Sequence, residues 1–67
     1  MKVAILMSIA RQVEGEYVFV NVVKANTDSD KLSQYLKENT LPKTDRIGDI
    51  DCVIEYGIVQ DIEIEED

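Results

Sequence analysis

The last nineteen positions of this chain, 49–67, hold eight acids and no cation. Among them Asp49, Asp51, Glu55, Asp61, Glu63 and Glu65 share one parity, and Glu66 alone falls on the other. Paired carboxylates can hold a hard cation such as Mg²⁺ or Ca²⁺, or divide acid and base work between them. A row of carboxylates can also imitate a nucleic-acid backbone, whose charges repeat at about 3.4 Å along one strand, and so fill a basic channel by complementarity. Spacing decides among these. On a strand, alternate residues lie about 6.6 Å apart along one face. A tight metal site needs ligands converging from several elements, and no EF-hand spacing is present. We therefore expect no metal site and no catalytic carboxylates. The plain alternative to a binding role is a strand edge blunted by charge that also keeps the protein soluble.

The remaining chemistry-bearing types are sparse. There is no histidine, which removes the commonest general base and metal ligand. Cys52 is the single cysteine, so no intrachain disulfide can form and no four-ligand zinc site can be built from thiols. It shares the parity of Ile50 and Ile54, reads as a small core residue, and lacks the cationic neighbour a reactive thiol needs. Serine has no histidine to activate it, and phosphate loops, dinucleotide fingerprints and nucleophile elbows are missing. No cofactor is expected, and the chain does not read as an enzyme. Tyr17 and Phe19 share a face that would suit base stacking, but the surrounding charge favours ordinary packing. Lys24, Lys31, Lys37, Lys43 and Arg46 make a mild basic end around the helix.

The acids need a frame. Ile50, Cys52, Ile54, Tyr56, Ile58, Ile62 and Ile64 share the other parity, with Gln60 the one polar interruption. Period-two alternation predicts a strand. Fifteen residues at about 3.3 Å would span about 50 Å, too long for a globule whose radius of gyration scales to about 11 Å. Gly57 is the expected bend; otherwise the distal half pairs with another chain. Upstream, KVAILMSIAR at 2–11 predicts a strand with Val3, Ile5, Met7 and Ile9 on one face and Ala4, Leu6, Ser8 and Ala10 on the other. QVEGE at 12–16 is a loop, and YVFVNVVK at 17–24 a second strand in an antiparallel hairpin. Thr27 or Asp28 caps a helix over about 29–38, with Leu32, Tyr35 and Leu36 as its apolar stripe. Pro42 ends it, and 43–49 reads as a polar connection.

The expected fold is one α+β domain, β-β-α-β, with a three- or four-stranded mainly antiparallel sheet in the order 2-1-3 and one helix on one face. The other face carries apolar residues and no element remains to cover it. At 67 residues a single core rarely supplies more than about 3–5 kcal/mol, so a homodimer is expected, through that face or through the edge of the last strand. Nothing resembles a signal peptide, and no run approaches the roughly 18 apolar residues of a membrane span. A cytoplasmic protein follows, consistent with one unpaired thiol.

The net charge is −7. Residues 1–48 hold seven cations and six acids, so the whole excess lies in the last stretch. Direct binding to nucleic acid or an anionic membrane is disfavoured; a basic protein partner is not. The run EGEYVFVNVVKANTDSDKLSQYLKEN, 14–39, resembles a pattern in small uncharacterised proteins of bacteriophages and mobile elements: a hairpin with a G-E-Y turn, a capped short helix, then a strand with an acidic tail. The resemblance implies such an origin and transfers no functional residue. The expected function is a non-enzymatic inhibitor of a basic host or defence factor, contacted through Asp49, Asp51, Glu55, Asp61, Glu63 and Glu65. The alternative is an antitoxin or assembly subunit that pairs through the last strand at Ile58, Ile62 and Ile64.

Overall fold

Strand-forming sequence dominates both ends of the chain, and the one helical segment lies between them. The computed structural model describes residues 1–65. Its elements are β1 (Lys2–Gln12), β2 (Val18–Asn26), α1 (Ser29–Glu38), β3 (Thr44–Ile47) and β4 (Ile50–Glu63). They form one four-stranded sheet in the order β2-β1-β4-β3, with every neighbouring pair antiparallel. The α+β class and the central place of β1 between β2 and the last strand agree with the pattern of the sequence. The fourth strand corrects it. Residues 44–47 are not a loop but a short edge strand, folded onto β4 by the two-residue turn Gly48-Asp49. Gly48 has φ +62°, and glycine at the first of two turn residues is what a tight hairpin asks for.

α1 starts where the polar cluster before it predicts. Asp28 is the N-cap, its carboxylate accepting from the Asp30 amide at 3.0 Å. The helix closes with Asn39, whose side-chain amide donates to the Tyr35 carbonyl at 2.9 Å. Leu32 from α1 and Ala4 and Leu6 from β1 form the buried centre, with Tyr35, Leu36, Tyr56 and Ile58 packed against it. Tyr56 also donates its hydroxyl to the Pro42 carbonyl at 2.6 Å, tying β4 to the chain leaving the helix.

Two irregularities shape the sheet. Between Leu6 and Met7 of β1, the partner on β2 jumps from Lys24 to Val22, so Val23 is an extra residue. Between Val3 and Ile5, the partner on β4 jumps from Ile62 to Val59, so β4 carries an extra residue at Gln60–Asp61. Asp61 has φ +59°, the only non-glycine with positive φ among the described residues. Aspartate tolerates that conformation better than most residues. The irregularity expected at Gly57 lies elsewhere: Gly57 sits in regular register opposite Met7 in a curled sheet. On one side the distal half of β4 pairs within the chain, Ile62 and Glu63 lying opposite Val3 and Lys2.

Candidate functional site

An extra residue in a strand reverses which face the following side chains occupy. The bulge at Gln60–Asp61 therefore divides the acidic series. Before it, Asp51 and Glu55 share a face with Val53 and Val59, opposite the face that α1 covers. After it, the isoleucines move: Ile62 stands opposite Val3 on the uncovered face. Glu63 stands opposite Lys2 on the other face and accepts from the Met1 amino group at 3.1 Å. Asp61 lies in the bulge, Asp49 in the β3–β4 turn, and exposed Glu65 beyond the strand end. The six carboxylates thus do not form one row. They form a group at the turn end and a group at the bulge end, about 33 Å apart from Asp51 to Asp61 at strand rise. Glu66 and Asp67 of the acidic stretch lie outside the described residues.

Three of the acids have cationic partners. Glu55 meets Arg11 at 3.9 Å, Asp51 meets Arg46 at 3.5 Å, and Glu63 meets the N-terminal amine. All are exposed pairs, worth at most about 1 kcal/mol. At the turn end, Glu14, Asp49 and Asp51 line a shallow depression with Gln12, Val13 and Ile50. Among the described residues no group of three such side chains is placed to hold a metal ion, and no helix is long and apolar enough to cross a membrane. Cys52 is buried, with its thiol turned toward the Ile50 carbonyl at 3.8 Å. Tyr17 and Phe19 stack on each other at 6.4 Å between ring centroids. Lys24 lies 4.7 Å above the Tyr35 ring, which draws one lysine of the basic end onto the helix.

The backbone of β4 is the more distinctive feature. β1 pairs with one of its edges along nearly the whole strand, from Cys52 to Glu63. On the other edge, β3 pairs only with Ile50 to Val53. One further bond, from the Ile54 amide to the Lys43 carbonyl at 2.8 Å, extends that contact. Since strand amides alternate in direction, those of Tyr56 and Ile58 point the same way as that of Ile54. No strand among the described residues pairs with β4 there. Ile58 itself packs beneath α1, so its backbone rather than its side chain serves that edge. Ile62 is half-buried and Ile64 exposed, its amide bonded to the Met1 carbonyl at 2.9 Å.

The short strand β3 and the cationic partners Arg11 and Arg46 were not evident from the acidic pattern alone. Gln60 was the available signal for the bulge: the lone polar residue on the apolar parity marks the point where that parity changes face. No family model, no curated protein and no solved structure matches the chain.

Proposed function

We propose that the chain is a non-enzymatic protein-interaction module that holds an extended segment of a basic protein along the outer edge of β4. The observation that carries this reading is the mismatch in length between β3, four residues, and β4, fourteen residues. It leaves the stretch after Ile54 without a strand on one side. An edge of unpaired amides and carbonyls is a template for an added strand, with main-chain bonds giving affinity and alternate side chains giving preference. Asp61, Glu63 and Glu65 lie at the far end of that edge and Glu55 near its start, so a cationic segment is favoured over an anionic one. In keeping with the resemblance to phage and mobile-element proteins, the partner would be a basic host or defence factor whose working surface is blocked.

The test is a titration with an extended Lys-rich peptide, followed by fluorescence anisotropy at several salt concentrations. Binding should weaken as salt rises and should be lost when Asp61, Glu63 and Glu65 are changed together to Asn, Gln and Gln. It should also be lost in a semisynthetic protein N-methylated at the Ile58 amide, which removes an outward donor and keeps the side chain that packs beneath α1. Circular dichroism must be unchanged in both variants. Binding that survives both sets of changes would reject the reading. The antitoxin or assembly-subunit alternative uses the same edge through apolar contact, and exposed Ile64 favours it. Salt-insensitive binding lost in Ile64→Ser would select it.

A further inference from the structure

The face of the sheet opposite α1 carries Ile5, Met7 and Ile9 from β1, Val18, Val20 and Val22 from β2, and Val53, Val59 and Ile62 from β4. Val20 is 53% exposed and Val22 61% exposed, and nothing among the described residues lies over them. We infer that this face is the contact between two copies of the chain, packed sheet on sheet. Three observations independent of the β4 edge carry the assignment.

The first is area. A folded monomer of 7.6 kDa exposes about 4,300 Å² by the usual size scaling. This chain exposes 5207 Å². The excess, on the order of 900 Å², is close to the roughly 800 Å² that each partner gives up in a standard interface. Shape agrees: the extents are 40 × 29 × 15 Å and the radius of gyration 13.8 Å, against about 11 Å expected for a globule of this length. The molecule is a slab, one sheet and one helix thick, and a second slab laid on the open side restores the proportions of an ordinary domain.

The second is charge. Copies carrying −7 each repel unless they meet where charge is balanced. On the open face the cross-strand neighbours Arg11 and Glu55, and Arg46 and Asp51, contribute two cations and two anions. The other described acids lie in the loop at 13–17, before and on α1, on the opposite face of β3, in the turn, and at or beyond the bulge. A two-fold contact places the same balanced set on both sides.

The third is composition. β-Branched and aliphatic residues alternating across three strands are what the inner face of a sandwich presents to a second sheet about 10 Å away. The occupant that offers the same strand spacing, twist and residue set is this chain itself.

Sedimentation equilibrium of the full chain, from micromolar to near-millimolar concentration, tests the inference. The expected mass is twice 7.6 kDa, falling toward the single-chain value on dilution. Val20→Glu and, separately, Val59→Lys at the other side of the face should halve the mass while the far-ultraviolet circular dichroism is kept, because both side chains are exposed in a single chain. Lys37→Glu on α1 should leave the double mass intact. A single-chain mass for the unchanged protein throughout would overturn the inference. So would a double mass that survives both face substitutions, or one that Lys37→Glu abolishes.

Discussion

The two faces of the sheet use opposite means to the same end. Beneath α1, β1 presents small residues, Ala4, Ser8 and Ala10, around a single large one, Leu6. Small side chains let the helix approach closely, and Leu6 and Leu32 are both wholly buried as a result. On the other side β1 presents Val3, Ile5, Met7 and Ile9, and only Val3, at the end of the strand, is buried. The larger apolar content therefore lies on the face that the chain itself leaves open. Hydrophobicity alone does not say which face of a sheet becomes the core; the size of the side chains decides where a ten-residue helix can sit. The comparison also explains why, among the described residues, only six apolar ones are buried, two of them alanines. A core that small is at the margin for a chain of this length.

The contrast can be broken most forcefully from the closed side. Leu32→Ala removes a fully buried side chain and should cost about 2–5 kcal/mol. That is enough to leave the protein largely unfolded in a thermal melt followed by circular dichroism. A melt within a few degrees of the parent would mean that the helix contributes little and the open face carries stability. Asp61→Val forces a β-branched residue into positive φ and should cost about 1–3 kcal/mol, while Asp61→Gly should be neutral or slightly stabilising. Equal urea midpoints for these two would show that the bulge is not held in that conformation. Asp28→Ala removes the cap of α1 and should cost about 1 kcal/mol. The loss should appear at any protein concentration, since the cap belongs to the closed side. The smallest effect is expected at the open face's ion pairs. Glu55→Gln should change stability by under about 1 kcal/mol at high dilution, and by more at concentrations where two copies associate, since the pair lies on the contact face; a small loss at every concentration would place the pair outside that contact.

Much of the fold could be read from the sequence because its signals are local. The alternation of residues 2–11, the polar cluster before Ser29 and the i, i+3, i+4 stripe of Leu32, Tyr35 and Leu36 each report one element, and those elements are present. The uncovered face was also legible, as a count of faces against available helices. What was not legible depended on pairing. β3 has four residues, TDRI, with two charges, and only its turn onto β4 makes it a strand. Glycine at 57 suggested an irregularity, yet it lies in regular register, while the real one sits four residues later at an aspartate, where no residue type demands it. The candidate site suffered most from this. An acidic face inferred from parity requires an unbroken register, and one extra residue was enough to divide it.

The same bulge makes the two ends of β4 behave like two halves of a wave joined out of phase. The text of the sequence runs in step from Ile50 to Ile64, yet the surface it writes switches sides after Gln60. Composition is thereby uncoupled from display: the chain keeps an identical repeat and delivers isoleucine to one surface before the join and to the opposite surface after it. Removal of Asp61 alone would leave Gln60 by itself opposite Ala4 and keep Ile62 and Glu63 opposite Val3 and Lys2. The repeat in the sequence would then be broken while the two surfaces kept their residues, so the extra aspartate reconciles an unbroken pattern with a changed display.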